Sequence, residues 1–219
     1  MFKNLDQNEK EDRFKAVISF AEKIENKKLR SVCLNILNDF KEDLLCRSAG
    51  HDGIEGIPSS NGVRSHQNFD GGLIDHILNV TTHSYNIANV YKDKIDMDLV
   101  LFGAILHDIG KVKIVDKWNE NAIVKGNLNY RYLLVDHCYI GEHICEQYLD
   151  KEGVEEKLKY QALHIIATHM DTMQKHMTES YIVSYADSID ADVLNTLSYP
   201  RNAINPITKS YIYESVNKK

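Results

Sequence analysis

The sequence predicts an all-α protein. Apolar residues recur at three- and four-residue spacing along nearly the whole chain, and alternating strand-type patterns are scarce. Cap and stop residues fall where the helical stripes begin and end. With 219 residues, 43% hydrophobic and 26% charged, the chain can bury one good-sized core.

Taken in order, Phe14, Val17, Ile18, Ala21 and Ile24 form the first stripe. Leu29, Val32, Cys33, Ile36, Leu37, Phe40 and Leu44 form a second, longer one, read as a single helix. A break from Gly50 to Gly72 then holds six of the eleven glycines and Pro58. A loop that long inside a compact domain is often functional. Leu73, Ile77, Val80, Ser84, Ile87 and Tyr91 mark a third helix. Met97, Val100, Leu101, Ala104 and Ile105 mark a fourth, with Asp96 as its expected cap and Gly110 as its expected stop. The polar stretch from Val112 to Arg131 is read as a loop or short hairpin. Leu133, Ile140, Ile144 and Tyr148 predict a fifth helix, and Val154, Leu158, Ala162 and Ile165 a sixth. Ile182, Val183, Ala186, Val193 and Leu197 predict a seventh, followed by a tail with Pro200 and Pro206.

Composition narrows the function classes. No run of about eighteen apolar residues is present, so no membrane-spanning helix is expected. The start, "MFKNLDQNEKEDRFK", lacks the apolar segment of a signal peptide, and a cytoplasmic location is the expectation. Cys33, Cys46, Cys138 and Cys145 show no CxxC spacing and read as reduced core residues. The net charge of −6, with both signs interspersed, argues against an extended nucleic-acid groove but permits a small phosphate-handling site. Nothing in the chain excludes a homo-oligomer.

Placing the ionisable residues on the stripes gives the functional signal. In "GAILHDIGK", Asp108 continues the inward face of Val100, Leu101, Ala104 and Ile105, and His107 lies at its edge. His76 lies four before Val80, His137 falls between Leu133 and Ile140, His169 follows Ile165 by four, and Asp187 follows Val183 by four. Six groups with metal-ligand chemistry therefore face inward on five successive helices. A helical core cannot hydrate six such groups separately, and shared coordination of metal ions satisfies them most cheaply. Four histidines with two carboxylates suit manganese, iron, cobalt, nickel or zinc better than calcium; magnesium is compatible but less favoured. His83 is two helical turns from His76, about 10 Å along the axis, too far to share one ion. His143 and His164 turn away from the ligand faces, and His51 and His176 read as loop residues.

The order His76, His107-Asp108, His137, His169, Asp187 resembles the HD superfamily of metal-dependent phosphohydrolases. The matching segments are "GGLIDHILNV", "GAILHDIGK" and "YADSIDADV". More narrowly, the chain is similar to the HD domain of YhaM-type 3′→5′ exoribonucleases. That likeness rests on Pro58-Ser59-Ser60, His66-Gln67, Gly71-Gly72-Leu73, "DHCYIGEHI" and "IIATHM", and it covers roughly residues 25 to 195. Three departures stand out. Gln67 replaces the second histidine of the upstream pair, and Met170 replaces the second histidine of a later doublet. Residues 1–48 read as helices where the exoribonucleases carry a nucleic-acid-binding barrel.

The resemblance implies an HD helical bundle, to which the periodicity of residues 1–48 adds an N-terminal helical pair. N-terminal helices over 1–48 would pack on the core, with a glycine-rich loop over 49–72, the metal-binding HD domain over 73–199 and a tail over 200–219. It further implies that His76, His107, Asp108 and Asp187 hold one ion, and that Asp108 bridges to a second held by His137 and His169. Such an ion pair would activate a water and clamp phosphoryl oxygens. From its own position, Lys111 is a candidate to neutralise a non-bridging oxygen, the alternative being a helix C-terminal lysine that complements the dipole; Arg64 and His66, in the loop before His76, are candidates to bind a phosphate or base, the alternative being solvated side chains. The expected activity is metal-dependent hydrolysis of a phosphoester, with a phosphodiester of a nucleotide or nucleic-acid end favoured. Short oligonucleotides or free nucleotides are favoured over long strands. Two alternatives are a di-iron oxygenase of the HD type and a nucleotide-binding HD protein without catalysis.

Overall fold

A computed structural model of the chain describes residues 4–50, 66–119, 135–170 and 175–198. These residues form α1 (Gln7–Ala21), α2 (Lys27–Asp39), α3 (Lys41–Leu45), α4 (Gly72–Val90), α5 (Met97–Leu106), a 3-10 helix η1 (Ile109–Lys113), α6 (His137–Glu152), α7 (Glu156–Thr168) and α8 (Thr178–Ser198). The all-α expectation therefore holds, and no β-sheet forms among the described residues. None of their helices is long and apolar enough to cross a membrane.

Local chemistry sets the helix starts. The Asp6 carboxylate accepts from the Glu9 N–H at 2.9 Å while Glu9 accepts from the Asp6 N–H at 2.8 Å, a reciprocal cap on α1. Asn26 caps α2 through the N–H groups of Lys28 and Leu29. Asp96 caps α5 through Asp98 and Leu99, as the sequence predicts. The second stripe is not one helix. The backbone leaves the helical region at Phe40 (φ −106°, ψ 12°), and α3 restarts after it. Leu44 stays buried across that break, so the apolar pattern runs through it unchanged.

α5 is apolar on every face, and Leu99 through Leu106 are all buried. It packs against α1, α2, α4, α7 and α8 and forms the centre of the molecule. Side chains of α1 and α2 join one hydrophobic cluster with those of α4, α5, α6, α7 and α8. Each side chain fully buried there stabilises the fold by about 1.5–3 kcal/mol. Two outer members of the predicted stripes lie at the surface instead. Tyr91 ends α4 exposed, and Val193 on α8 is 50% exposed.

α5 ends at Leu106, four residues before the expected stop. His107 and Asp108 form the joint, and η1 carries the chain on with Gly110 inside it. Gly110 is needed for close approach. A Cβ there would lie 1.9 Å from the His137 carbonyl oxygen and 2.8 Å from the Gly141 nitrogen. The missing side chain lets η1 lie against the first turn of α6. Gly110→Ala must push these elements apart, at a cost of about 3 kcal/mol, or roughly 6–12 °C in Tm for a chain of this size. Thermal melting checks this; an unchanged Tm would show that the contact is dispensable.

Candidate metal centre

The six residues predicted from the stripes meet at one place. His76 comes from the second turn of α4, His107 and Asp108 from the end of α5, and His137 from the first residue of α6. His169 caps the end of α7, and Asp187 lies midway along α8. Three of the four histidines thus sit at helix ends, where the chain turns and neighbouring side chains diverge. His76, His107, Asp108, His137 and His169 are buried, whereas Asp187 remains partly open to solvent.

The Asp108 carboxylate stands between two imidazole pairs. Its Oδ2 lies 3.4 Å from His76 Nε2 and 3.5 Å from His107 Nε2. Its Oδ1 lies 3.2 Å from His137 Nε2 and 3.7 Å from His169 Nε2. Asp187 Oδ1 completes the first group at 3.1 Å from His76 Nε2.

The second nitrogen of every ring is already committed. His76 Nδ1 is 2.7 Å from Asp190 Oδ2, and His137 Nδ1 is 2.8 Å from Asp136 Oδ1. His107 Nδ1 and His169 Nδ1 each lie 2.8 Å from a carbonyl oxygen three residues back, those of Ala104 and Ile166. Nδ1–H is therefore the donor in each ring, and a neutral ring turns a bare Nε2 lone pair inward. Those lone pairs meet head-on, since His76 Nε2 and His107 Nε2 are 3.3 Å apart and His137 Nε2 and His169 Nε2 are also 3.3 Å apart. Two acceptors at that distance repel unless a cation sits between them. The donor set fits a metal ion at each pair, and His76, His107 and Asp187 form one group that could hold one.

Without a metal, protons must play the cation's part. Burial disfavours protonation of His76, but the carboxylates of Asp108, Asp187 and Asp190 outweigh it and raise its pKa. Burial is likewise outweighed at His137 by Asp108 and Asp136, and at His169, pushed up to about 9, chiefly by Asp108. Burial wins at His107, which falls to about 3 and stays neutral. Asp108 and Asp187 are held well below the usual carboxylate range, because the neighbouring cations and imidazoles overcome their burial.

The remaining predicted residues divide. Lys111 Nζ lies 2.6 Å from Asp108 Oδ2, so its ammonium is inside the site. The His66 ring lies against His76, tilted by 47° with ring centroids 4.6 Å apart, and its Nδ1 is 2.8 Å from Gln67 Oε1. Gln67, in the left-handed backbone region (φ 44°), is buried beneath it. Arg64 lies outside the described residues. Met170 is 59% exposed and contributes nothing to the cluster. His143 contacts Gln147 and His164 stacks on His176, both away from the site. Sequence reasoning missed Asp136, Asp190 and Cys138. Asp190 was legible in principle, four residues after the buried Ala186 on the same helix face. Asp136 carried an N-cap signal, since its carboxylate also accepts from the Cys138 N–H.

The family model of the HD domain matches residues 73–192, and the chain belongs to that family. The match spans every residue of both imidazole pairs and Asp187. The chain is also similar to the dihydroneopterin 2′,3′-cyclic phosphate phosphodiesterase of Methanocaldococcus jannaschii, at 27% identity over 219 residues, covering 92% of this chain and 79% of that protein. No solved structure gives a significant match.

Two outcomes follow from the proton inventory. His76, His137 and His169 bind protons more tightly folded than unfolded, so their contribution is present below pH 6.5 and lost as pH rises, through about 9 for His169. His107 and His66, lowered by burial to about 3 and about 4, contribute above pH 6.5 and lose this as pH falls. The metal-free protein should therefore melt highest near pH 6.5, and a divalent cation should raise its Tm more on the alkaline side of that point. A Tm that climbs steadily through pH 9 would contradict the assignment. Replacing an orienting acid, Asp190→Asn, should weaken metal affinity by about 10- to 100-fold, read by isothermal titration.

Proposed function

We propose that this protein is a metal-dependent phosphohydrolase that cleaves a phosphodiester in a nucleotide-type substrate. The observation that carries the reading is the carboxylate of Asp108, whose two oxygens each face a separate imidazole pair. His76, His107 and Asp187 with Asp108 Oδ2 would hold one ion, and His137 and His169 with Asp108 Oδ1 a second. When bound, such a pair supplies a water of lowered pKa and positive charge for phosphoryl oxygens. Which divalent ion serves, among manganese, iron, cobalt, nickel, zinc and magnesium, is decided by measurement of bound metal.

The chain's own side chains do the rest. Asp190 and Asp136 fix the tautomers and aim Nε2 of His76 and His137 inward. His107, kept neutral by burial, presents a lone pair without first losing a proton. Lys111 brings positive charge to the same carboxylate that bridges the two groups and is placed to offset charge building on a non-bridging oxygen. His66 and Asp187 are the partly exposed residues on the His76 side of the cluster, and substrate would enter there. His66 would present hydrogen-bonding capacity to the substrate's sugar or base, and Arg64 would add charge there.

The related archaeal protein is named for a 2′,3′-cyclic phosphate, a small strained phosphodiester. Small cyclic phosphodiesters are therefore the first substrates to test, followed by short oligonucleotides with an exposed 3′ end, in keeping with the exoribonuclease likeness. The test is hydrolysis of such a panel with each metal in turn. Turnover should require the metal, and Asp108→Ala should lower kcat/KM by about 1,000-fold or more, equivalent to about 4 kcal/mol. Lys111→Ala should cost about 100-fold, chiefly in kcat. Hydrolysis that survives Asp108→Ala would refute the proposal. Tight nucleotide binding without turnover under any metal would favour the non-catalytic alternative.

A further inference from the structure

The two imidazole pairs are unequally furnished. Around Asp108 Oδ2 four donors converge, from His76, His107, Asp187 and Asp108 itself. Around Oδ1, among the described residues, only His137, His169 and Asp108 supply nitrogen or oxygen. Met170, the next residue in the chain, faces solvent and cannot fill the gap. Cys138 can. Its sulfur lies 3.8 Å from His137 Nε2 and 4.0 Å from His169 Nε2, and the residue is 5% exposed.

These spacings match a four-donor shell. For metal–nitrogen bonds near 2.05 Å and a metal–sulfur bond near 2.3 Å, a tetrahedral site has N···N edges of about 3.4 Å and N···S edges of about 3.6 Å. The observed edges are 3.3 Å between the two Nε2 atoms and 3.8 and 4.0 Å to the sulfur, with Asp108 Oδ1 at 3.2 and 3.7 Å. His137, Cys138 and His169 thus form a compact buried donor group. The other cysteines are placed differently. Cys33 and Cys145 are fully buried in the apolar core, and Cys46 Sγ contacts the Asp43 carbonyl.

We propose that Cys138 is a thiolate ligand at the second ion site, so that one ion is held by nitrogen and oxygen alone and the other by nitrogen, oxygen and sulfur. This rests on the metal-dependent reading above. On binding, the Cys138 thiol gives its proton to solvent and its sulfur donates an electron pair to the cation; nothing is oxidised or reduced. A soft sulfur donor biases the second site toward zinc, iron or cobalt and against magnesium and calcium. It also compensates for the histidine that Met170 replaces.

Cobalt(II) titration of the metal-free full chain, followed by optical absorption, tests this directly. The account expects visible d–d bands and, with one of the two equivalents, a sulfur-to-cobalt charge-transfer band in the near ultraviolet. Cys138→Ser should abolish that band while cobalt still binds at the first group, and Cys46→Ser should leave it intact. Circular dichroism confirms that the variants fold, with Cys138→Ala as a second replacement. Two equivalents of cobalt bound to the native chain without the band, or a band that persists in Cys138→Ser, would overturn the thiolate proposal alone. No cobalt bound at all would overturn the metal-dependent reading beneath it.

Discussion

A buried carboxylate held between two pairs of imidazoles is the constraint on which the rest of the structure depends. Asp108 is almost fully removed from water, and a carboxylate in that position is tolerable only if positive charge surrounds it. Lys111 supplies one such charge and the four histidines are arranged to admit more. Bringing them there requires five elements to converge. α5 is apolar on all faces because it must pass through the centre of the bundle to deliver His107 and Asp108 at its end. Gly110 lets η1 press against α6, which sets His137 beside Asp108. The cost of burying polar groups is offset by the core that α5 anchors.

The helices were legible because each buries one face and so repeats its apolar residues at the helical period. The inward placement of His76, His107, Asp108, His137, His169 and Asp187 followed from that same period. What the pattern could not report is where a helix stops while its apolar face continues. Phe40 breaks the second helix without disturbing the stripe, and the turn at His107-Asp108 leaves no apolar signature. Gly110 resembled a helix stop, yet its role depends on α6, far away in sequence. The orienting acids were hidden for a related reason. Asp136 precedes its helix and Asp190 reaches across to His76 on α4, so each gains meaning only from a partner outside its own segment. Cys138 read as core packing because burial is the common fate of cysteine; only the distances to His137 and His169 set it apart.

Membership of the HD family and the internal geometry support each other from separate directions. The family match runs over the segment that supplies both imidazole pairs, and the nitrogen–nitrogen contacts there are satisfied by a proton or a metal cation between the rings. The proposed activity fits that arrangement, since a carboxylate placed between two imidazole pairs would, with metal bound, suit in-line attack on a phosphoryl group.

The central claim is that Asp108 joins two metal ions. Crystals of the full chain loaded with manganese or zinc, with anomalous diffraction recorded at the metal's absorption edge, test it most directly. The account predicts two peaks, one on each side of the Asp108 carboxylate and about 3.5–4 Å apart. A single peak, or peaks remote from Asp108 while His76, His107, His137 and His169 remain in place, would contradict it.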